Sequence, residues 1–503
     1  MKQKTLFLFL LRFLKIGVAF INLSLTAKYF GVSLEKDIWI LSFTSVLVFD
    51  AAVWGAINET FRVKFLFIRE SEGEVIALDK TKSLLFYSFF ISILMVLFIE
   101  LFPNIFIKLV APTFEKDELK SLLTMIKYVA PCLLFHQLSN IGVSVLNAYE
   151  SFYIPEYSNL LSSILNLVFI VLLAPTMGIY SLLVSYYIGV FLFLILIFYQ
   201  IKKKKILIFE YHYFPKFKDF YIFFLYALPF FVPFFIGQSS RVIEKNLVSS
   251  IDIGMVSALD YSKKFSEILS SVLTSVLATI LVPLLSVSYT QKKDSEFIHE
   301  FLQTLQIGFL ILSLFIAIFT SSSPYFVNLL YQSGTIDTRF MKIISELTMM
   351  YSWTTLPFFI YLIFGMALLS SGKEKMYAVF GTIMQVLNII FNYLLIKKIG
   401  VYIIPYSIII TNLVCGLIMY MKFPFEKKDI TKVLIKYSFV LILTVLIHKY
   451  LTLHINLNIH DLYILVINSV LAVIILFFMT IIFRLEESFY IINLFKRVFK
   501  FKS

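Results

Sequence analysis

Residues 159–180 read NLLSSILNLVFIVLLAPTMGIY, a stretch without a single charged side chain. A helix needs about 20 mostly apolar residues to cross a bilayer, so this segment is long enough for one passage. Residues 381–402 read GTIMQVLNIIFNYLLIKKIGVY. Leu165-Asn166, Phe169, Leu172-Leu173, Gly178 and Tyr180 return there as Leu387-Asn388, Phe391, Leu394-Leu395, Gly400 and Tyr402, each displaced by the same 222 positions that separate 387 from 165. Leucine and phenylalanine coincide easily in so apolar a chain, whereas asparagine and glycine at one constant offset do not. The two stretches are read as copies of one duplicated membrane unit.

Outward from this pair, apolar windows of about 20 residues recur along the whole chain. There are fourteen, centred on 5–26, 38–58, 84–103, 122–147, 157–175, 178–200, 220–242, 262–286, 304–329, 345–370, 376–396, 399–421, 432–451 and 461–483. Continuous runs of this kind exclude a closed β-barrel, whose strands hold only about 10 alternating residues. The offset carries window five onto eleven and window six onto twelve. Six windows per copy is an even number, so the copies share one orientation, and parallel repeats typically enclose a substrate path at their interface. The expected fold is an all-α polytopic membrane protein with about 14 transmembrane helices, two parallel six-helix repeats plus two C-terminal helices. Its divisions are an N-terminal half at 1–205, a second half at 206–423, and two extra helices with a basic cytoplasmic tail at 424–503.

The composition agrees. Of 503 residues, 60% are apolar and 15% charged, against about 45–50% and 25% in soluble domains. So little charge cannot cover a water-exposed surface of this size, which excludes a soluble enzyme. Cys132 and Cys415 both lie in apolar runs and form neither a disulfide framework nor a metal cluster. The first window contains Arg12 and Lys15 and is not followed by a small-residue cleavage site, so it is not read as a removable signal. Lysine and arginine set the orientation. With both termini inside, the inner side receives Lys2, Lys4, Lys292, Lys293, Lys373, Lys375 and the basic residues of 62–82, 202–218, 422–428 and 484–502. The outer side holds far fewer, among them Lys28, Lys36, Lys108, Lys116, Lys120, Arg339 and Lys449. The net charge of +13 is therefore a topology signal and not the footprint of a nucleic-acid partner. Residues 61–82, FRVKFLFIRESEGEVIALDKTK, are amphipathic and are expected to lie on the inner membrane surface.

Ionisable side chains inside a span are costly and mark functional candidates. The second window carries Asp50 and the fourth His136, while the seventh ends with Arg241, Glu244 and Lys245. The eighth opens Tyr261-Ser262-Lys263-Lys264-Phe265-Ser266-Glu267, where Lys264 and Glu267, three apart, share a helix face. Cations dominate, and Lys264, Arg241, Lys245, Arg12 and Lys15 are the candidate substrate-binding residues. Converging on a cavity, such groups suit an anion, above all a phosphate or pyrophosphate. Local readings compete: Lys264 and Glu267 as a neutralised packing pair, Arg241 at the outer interface with Glu244, Arg12 and Lys15 snorkelling to inner headgroups, Asp50 and His136 satisfied by neighbouring hydroxyls or lysines. The chain has no P-loop, HExxH, nucleophile elbow or Asp-rich loop, and no connection longer than about 25 residues. No enzyme, cofactor or metal site is expected.

Several short segments fall in a specific order. They are Ala27-Lys28-Tyr29-Phe30-Gly31 with Asp37 and Phe43, Leu109-Val110-Ala111-Pro112-x-Phe114, and Leu146-Asn147-Ala148 with Ile154-Pro155. Tyr261-Ser262-Lys263-Lys264 with Glu267, Leu281-Val282-Pro283-Leu284-Leu285-Ser286 and Leu330-Tyr331-Gln332-Ser333-Gly334 follow. In order and spacing they resemble the MurJ/MviN branch of the multidrug/oligosaccharidyl-lipid/polysaccharide exporter superfamily, over about residues 10–425. The resemblance implies a flippase that moves a polyprenyl-pyrophosphate-linked saccharide, in the first place the peptidoglycan precursor lipid II, to the outer leaflet of the bacterial cytoplasmic membrane for cell wall biogenesis. It implies that Lys264 stands where the family places a basic residue against the pyrophosphate; lysine keeps the charge but lacks the bidentate fork of arginine.

The sequence also departs from that pattern. The family's paired arginines of helix one fall on Ile16 and Asn22, its arginine near the end of helix two on Phe49 and Asp50, and its FAEGAF segment reads Val53-Trp54-Gly55-Ala56-Ile57. A paralogue that moves an O-antigen or capsule-type lipid-linked oligosaccharide therefore stands as the alternative. A cation-coupled drug exporter suits the cationic excess less well, and a non-transporting scaffold would tolerate loss of every intramembrane charge. Asp37, Asp50, Glu244 and Glu267 are the candidates for orientation or ion coupling. A membrane potential would act on the moved charge at about 2.3 kcal/mol per elementary charge per 100 mV. The expected partners are the lipid-linked anionic saccharide, membrane lipids and a coupling ion or potential.

Overall fold

The computed structural model describes residues 2–111, 113–206, 214–332, 334–454 and 459–485. Among them all regular structure is helical. The order is α1 (Lys2–Phe30), α2 (Leu34–Glu72), α3 (Glu74–Leu101), α4 (Pro103–Val110), α5 (Lys116–Val129), α6 (Cys132–Ala148), α7 (Tyr153–Met177), α8 (Tyr180–Lys203) and α9 (Phe217–Ser249). Then come α10 (Met255–Val276), a π-helical turn (Leu277–Leu281), α11 (Val282–Thr290), α12 (Asp294–Tyr331), α13 (Thr338–Ser370), α14 (Glu374–Ile399), α15 (Ile403–Met421), α16 (Lys428–His454) and α17 (Asp461–Ile482). Each of the fourteen apolar windows lies on helix, and α4 is an eight-residue addition.

By length and composition, ten described helical runs can cross a membrane, eleven with the bent pair α5–α6. The difference from fourteen has physical sources. α14 and α15 count as one run, α10 is too polar at Asp260, Lys263, Lys264 and Glu267, and α1 is not in the count. The basic tail expected at the C-terminus lies outside the described residues.

The chain packs as two compact units, residues 1–257 with 333–336 and residues 258–332 with 337–503. In the first, α2 is the spine. Its 39 residues extend about 58 Å at 1.5 Å per residue, well beyond the roughly 30 Å of a hydrocarbon core. α9 packs along α2, with Phe61 and Phe223 rings 5.2 Å apart. The repeat assigns α9 to the second half, yet its buried surface joins it to the first unit. The halves expected from the repeat and the units defined by buried contact therefore differ at α9.

Residues 61–82 are not a separate surface helix. α2 runs on to Glu72 and α3 starts at Glu74, with Gly73 (φ +100°) as the break. The apolar face expected to meet headgroups is used inside the protein: Phe61, Phe65 and Ile68 are buried. The α6–α7 turn docks on this end, where the Tyr149 hydroxyl donates to Glu74 Oε1 at 2.5 Å and Arg69 lies over the Tyr149 ring.

The core of the second unit is an aromatic cluster around Phe297, Phe301, Phe309, Phe359, Phe364 and Phe423. Lipid tails are as apolar as these rings, so close packing and interhelical hydrogen bonds hold such helices together. Both appear. Gly308 lets the Phe359 ring lie directly on α12. The two C-terminal helices are fastened to α12 by polar groups: Ser321 Oγ meets His448 Nδ1 at 3.0 Å, His448 Nε2 meets the Asn468 carbonyl at 2.9 Å, and Asn468 Nδ2 donates to Ser322 Oγ at 2.8 Å.

The repeat is visible in the backbone. α7 and α14 both end in a glycine with positive φ, Gly178 (+54°) and Gly400 (+69°), whose N–H returns to the carbonyl of Ala174 and Ile396. Glycine adopts this conformation without a Cβ penalty, which explains why it persists at both positions. The preceding turns match too: Ser151 N–H bonds the Leu146 carbonyl and Lys373 N–H the Leu368 carbonyl, both at 2.9 Å. At the positive-φ position of that turn the first copy has Glu150 (+55°) and the second Gly372 (+73°). Glu150→Gly is expected to stabilise the protein by up to about 1 kcal/mol, the left-handed penalty for a residue with a Cβ. A rise in the melting temperature of detergent-solubilised protein would show it, and an unchanged or lower value would refute it.

Candidate functional site

Polar groups in a span must be satisfied by one another, and in the first unit they gather around one cavity. α7 carries Glu156, Asn159, Ser163 and Asn166, spaced by three, four and three, which places them on one helix face. α6 presents His136, Asn140 and Val143 in the same way. With Lys15 of α1 and Tyr186 of α8 these residues line a cavity of about 440 Å³. Lys15 Nζ is 3.9 Å from Glu156 Oε2. His136 Nδ1 is 2.6 Å from Asp50 Oδ2, and the carboxylate is nearly inaccessible while the imidazole is about one-third exposed, 2% against 35%. Next to His136 on α6, Gln137 exchanges two hydrogen bonds with Asn58 of α2, at 3.1 and 3.2 Å. Asp50 Oδ1, Ser162 Oγ and Asn166 Oδ1 are buried and accept no hydrogen bond. Buried polar atoms of this kind mark where water or a ligand completes a site.

The other expected residues are placed as follows. Asp37 is 1% exposed and its carboxylate is fully engaged. Oδ2 accepts the Gly254 N–H and Oδ1 the Ser257 N–H, both at 2.7 Å, and Oδ1 also accepts the Ser257 hydroxyl. It thereby caps the start of α10 from α2. Lys245 is buried, at 4% exposure, and its charge acts on Asp37. Arg241 is exposed and Glu244 half-buried on the same helix. The side chain of Arg12 lies outside the described residues. In the second unit, Lys264 Nζ is 3.3 Å from both Asp260 Oδ1 and Glu267 Oε2, and Lys263 Nζ is 3.3 Å from Glu267 Oε1. Two cations and two carboxylates thus form a neutral quartet on the first turns of α10. Within the first unit the fold brings Asp37 to Lys245 and Asp50 to His136, and puts Lys15 on the cavity.

Reading the sequence by its charges passed over Glu156, Asn140, Asn159 and Asp260. A signal for most of them existed: a polar stripe at helical spacing inside an apolar window. Asn166 drew notice only as a marker of the repeat.

The segments that carried the family resemblance meet at junctions. Gly334 sits so close to Ala27 that a Cβ would overlap the Ala27 carbonyl, and Gly31 (φ +54°) lies against Thr335. Asn246 Nδ2 and Ser249 Oγ of α9 donate to the carbonyls of Leu109 and Val110, at 2.8 and 3.0 Å.

A bundle of apolar helices, strand-free among the described residues and with polar groups gathered inside a helical unit, defines a polytopic membrane protein with the build of a transporter. The chain belongs to the lipid II flippase MurJ family, whose model matches residues 26–484. The fold is shared with a solved lipid II flippase MurJ in an inward closed conformation, at a TM-score of 0.77 and 20% identity, covering 96% of this chain and 99% of that one. It is also shared with an inward-facing multidrug resistance MATE family transporter of the MOP superfamily, at a TM-score of 0.69 and 13% identity over 83% and 95% of the two chains. A MOP superfamily transporter from Pyrococcus furiosus, described by the reverse polarity of its binding pocket, gives 0.61 and 11% over 85% and 95%. No curated protein matches the sequence.

Proposed function

We propose that this chain flips lipid II from the inner to the outer leaflet of the bacterial cytoplasmic membrane by alternating access, with both termini cytoplasmic. The observation that carries this reading is the family match across residues 26–484. The polar cavity supports it, because a saccharide headgroup needs a route on which hydroxyl and amide groups replace water. Among the cations read from the sequence, Lys15 is the one proposed to meet the headgroup in the first unit, since it lines that cavity. It lies just ahead of the matched residues. Lys264 is proposed to meet the pyrophosphate, and the phosphate oxygens then displace Asp260 and Glu267 from its ammonium. Lys245 and Arg241 are proposed to contribute field more than contact, one being engaged beside Asp37 and the other exposed.

The test is rescue of a bacterial strain depleted of its lipid II flippase. Growth is expected with the wild-type chain, and Lys15→Ala or Lys264→Ala should lower rescue at least tenfold at equal membrane abundance. A wild-type chain that is abundant but fails to rescue would overturn the lipid II assignment. One observation favours a second reading: Asp50 stands where the resemblance expects arginine, and it is buried against His136. If deletion of the native gene instead removes a surface polysaccharide, the cargo is another polyprenyl-linked glycan.

A further inference from the structure

The Asp50–His136 pair has a consequence for the transport cycle that depends on its place at the cavity. A contact of 2.6 Å between a carboxylate oxygen and an imidazole nitrogen requires a proton between them. With one proton shared the pair carries a charge of −1, and with a second proton on the imidazole it is neutral. Asp50 is sealed in the bundle, whereas His136 is on the cavity wall with Nδ1 already committed to Asp50, which leaves Nε2 as the nitrogen able to exchange. Histidine is the side chain whose charge changes near neutral pH. The ionisable groups around the pair are Lys15 from α1, Cys132 from α6, Glu156 from α7 and Tyr186 from α8. Of these, Lys15 is the cation; its charge opposes the second proton, and Glu156 opposes Lys15 in turn.

We infer that Asp50 and His136 form a proton-binding site coupled to the cargo, which takes up one proton when an anionic headgroup neutralises Lys15. The sign follows from electrostatics: an anion bound at Lys15 offsets a positive charge on the cavity wall that His136 shares, and so favours a positive charge on the imidazole. Linkage makes the effect reciprocal, so a proton on His136 tightens binding of the anion. Because each favours the binding of the other, proton and cargo would load on one side and leave together on the other. The inference rests on the proposed anionic lipid-linked cargo.

The experiment is titration calorimetry of lipid II into the full-length protein in detergent near pH 6.5, in two buffers of different ionisation enthalpy. The heat difference between buffers counts protons, and uptake of about one per lipid bound is expected. His136→Gln, which keeps a hydrogen-bond donor, should bind lipid II with that uptake lost, and Asp50→Asn should do the same. Binding with no buffer dependence, or uptake unchanged in both variants, would overturn the proton site and leave the flippase reading intact. If lipid II does not bind, the cargo assignment fails, and a pH jump on proteoliposomes without substrate decides the site alone. A charge-displacement transient lost in His136→Gln supports it, and a transient unchanged in that variant refutes it.

Discussion

Asp37→Ala is expected to cost about 3–5 kcal/mol of stability, the range for breaking a buried charge cluster by removing one partner. Three donors lose their acceptor at once: the N–H groups of Gly254 and Ser257 and the Ser257 hydroxyl. Each buried donor left unmet costs about 1–3 kcal/mol, and the losses overlap because they share one carboxylate. Lys245 also loses an opposite charge while buried. The expected result is a sharp fall in folded protein after extraction and a melting temperature lower by many degrees. Asp37→Asn should be milder, since its amide oxygen can still accept from one of the donors. Adding Lys245→Met to Asp37→Ala should recover part of the loss, because the buried charge is then gone. Equal stability of Asp37→Ala and wild type would show that α10 is held by other contacts.

Gly334→Ala is the second large effect expected. The added methyl would meet the Ala27 carbonyl, a backbone group that cannot rotate away as a side chain would. Overpacking costs about 1–3 kcal/mol, and the upper end applies where backbone must shift. Gly31 faces Thr335 in the same junction and has φ +54°, so Gly31→Ala adds a conformational cost to a steric one. Because both substitutions disturb one contact, the double variant should lose less than the sum of the two. Melting temperatures of the two single variants and the double variant test this, and strict additivity would refute a shared junction.

These effects also explain what the sequence motifs mean. The Ala27–Gly31 and 330–334 segments were read as marks of a family, but their spacing does not say that they touch. Gly334 and Ala27 are brought together by the fold, and the need for glycine becomes clear only once the opposing carbonyl is known. In the sequence Asp37 belonged to one of those family segments and to the candidates for orientation or ion coupling; that it caps α10 depends on partners 217 and 220 positions away.

The membrane-spanning architecture was legible because its cause is local. A bilayer demands about 20 consecutive apolar residues whatever the neighbouring helices do, so each window could be read alone. The duplication was legible for a similar reason: Gly178 and Gly400 end their helices through their own backbone geometry. The Lys264–Glu267 pairing was legible too, being three residues apart on one helix, and Asp260 one turn earlier completes the quartet. The polar cavity was only half legible. Stripes on α6 and α7 follow helical spacing, but an isolated stripe does not say whether it faces lipid, another helix or a cavity.

The sequence by itself determined an all-helical membrane protein, its duplicated plan and the family to which its segments point, since each rests on hydropathy or order along the chain. Only the tertiary structure decided that α9 packs with the first unit, that Asp50 meets His136 across 86 residues, and that Lys15 opens onto the cavity with Glu156 beside it. The reason is that a buried charge has no stable state alone. Its partner is chosen by whichever helix the packing of apolar surfaces brings alongside, and that choice is made by the whole bundle.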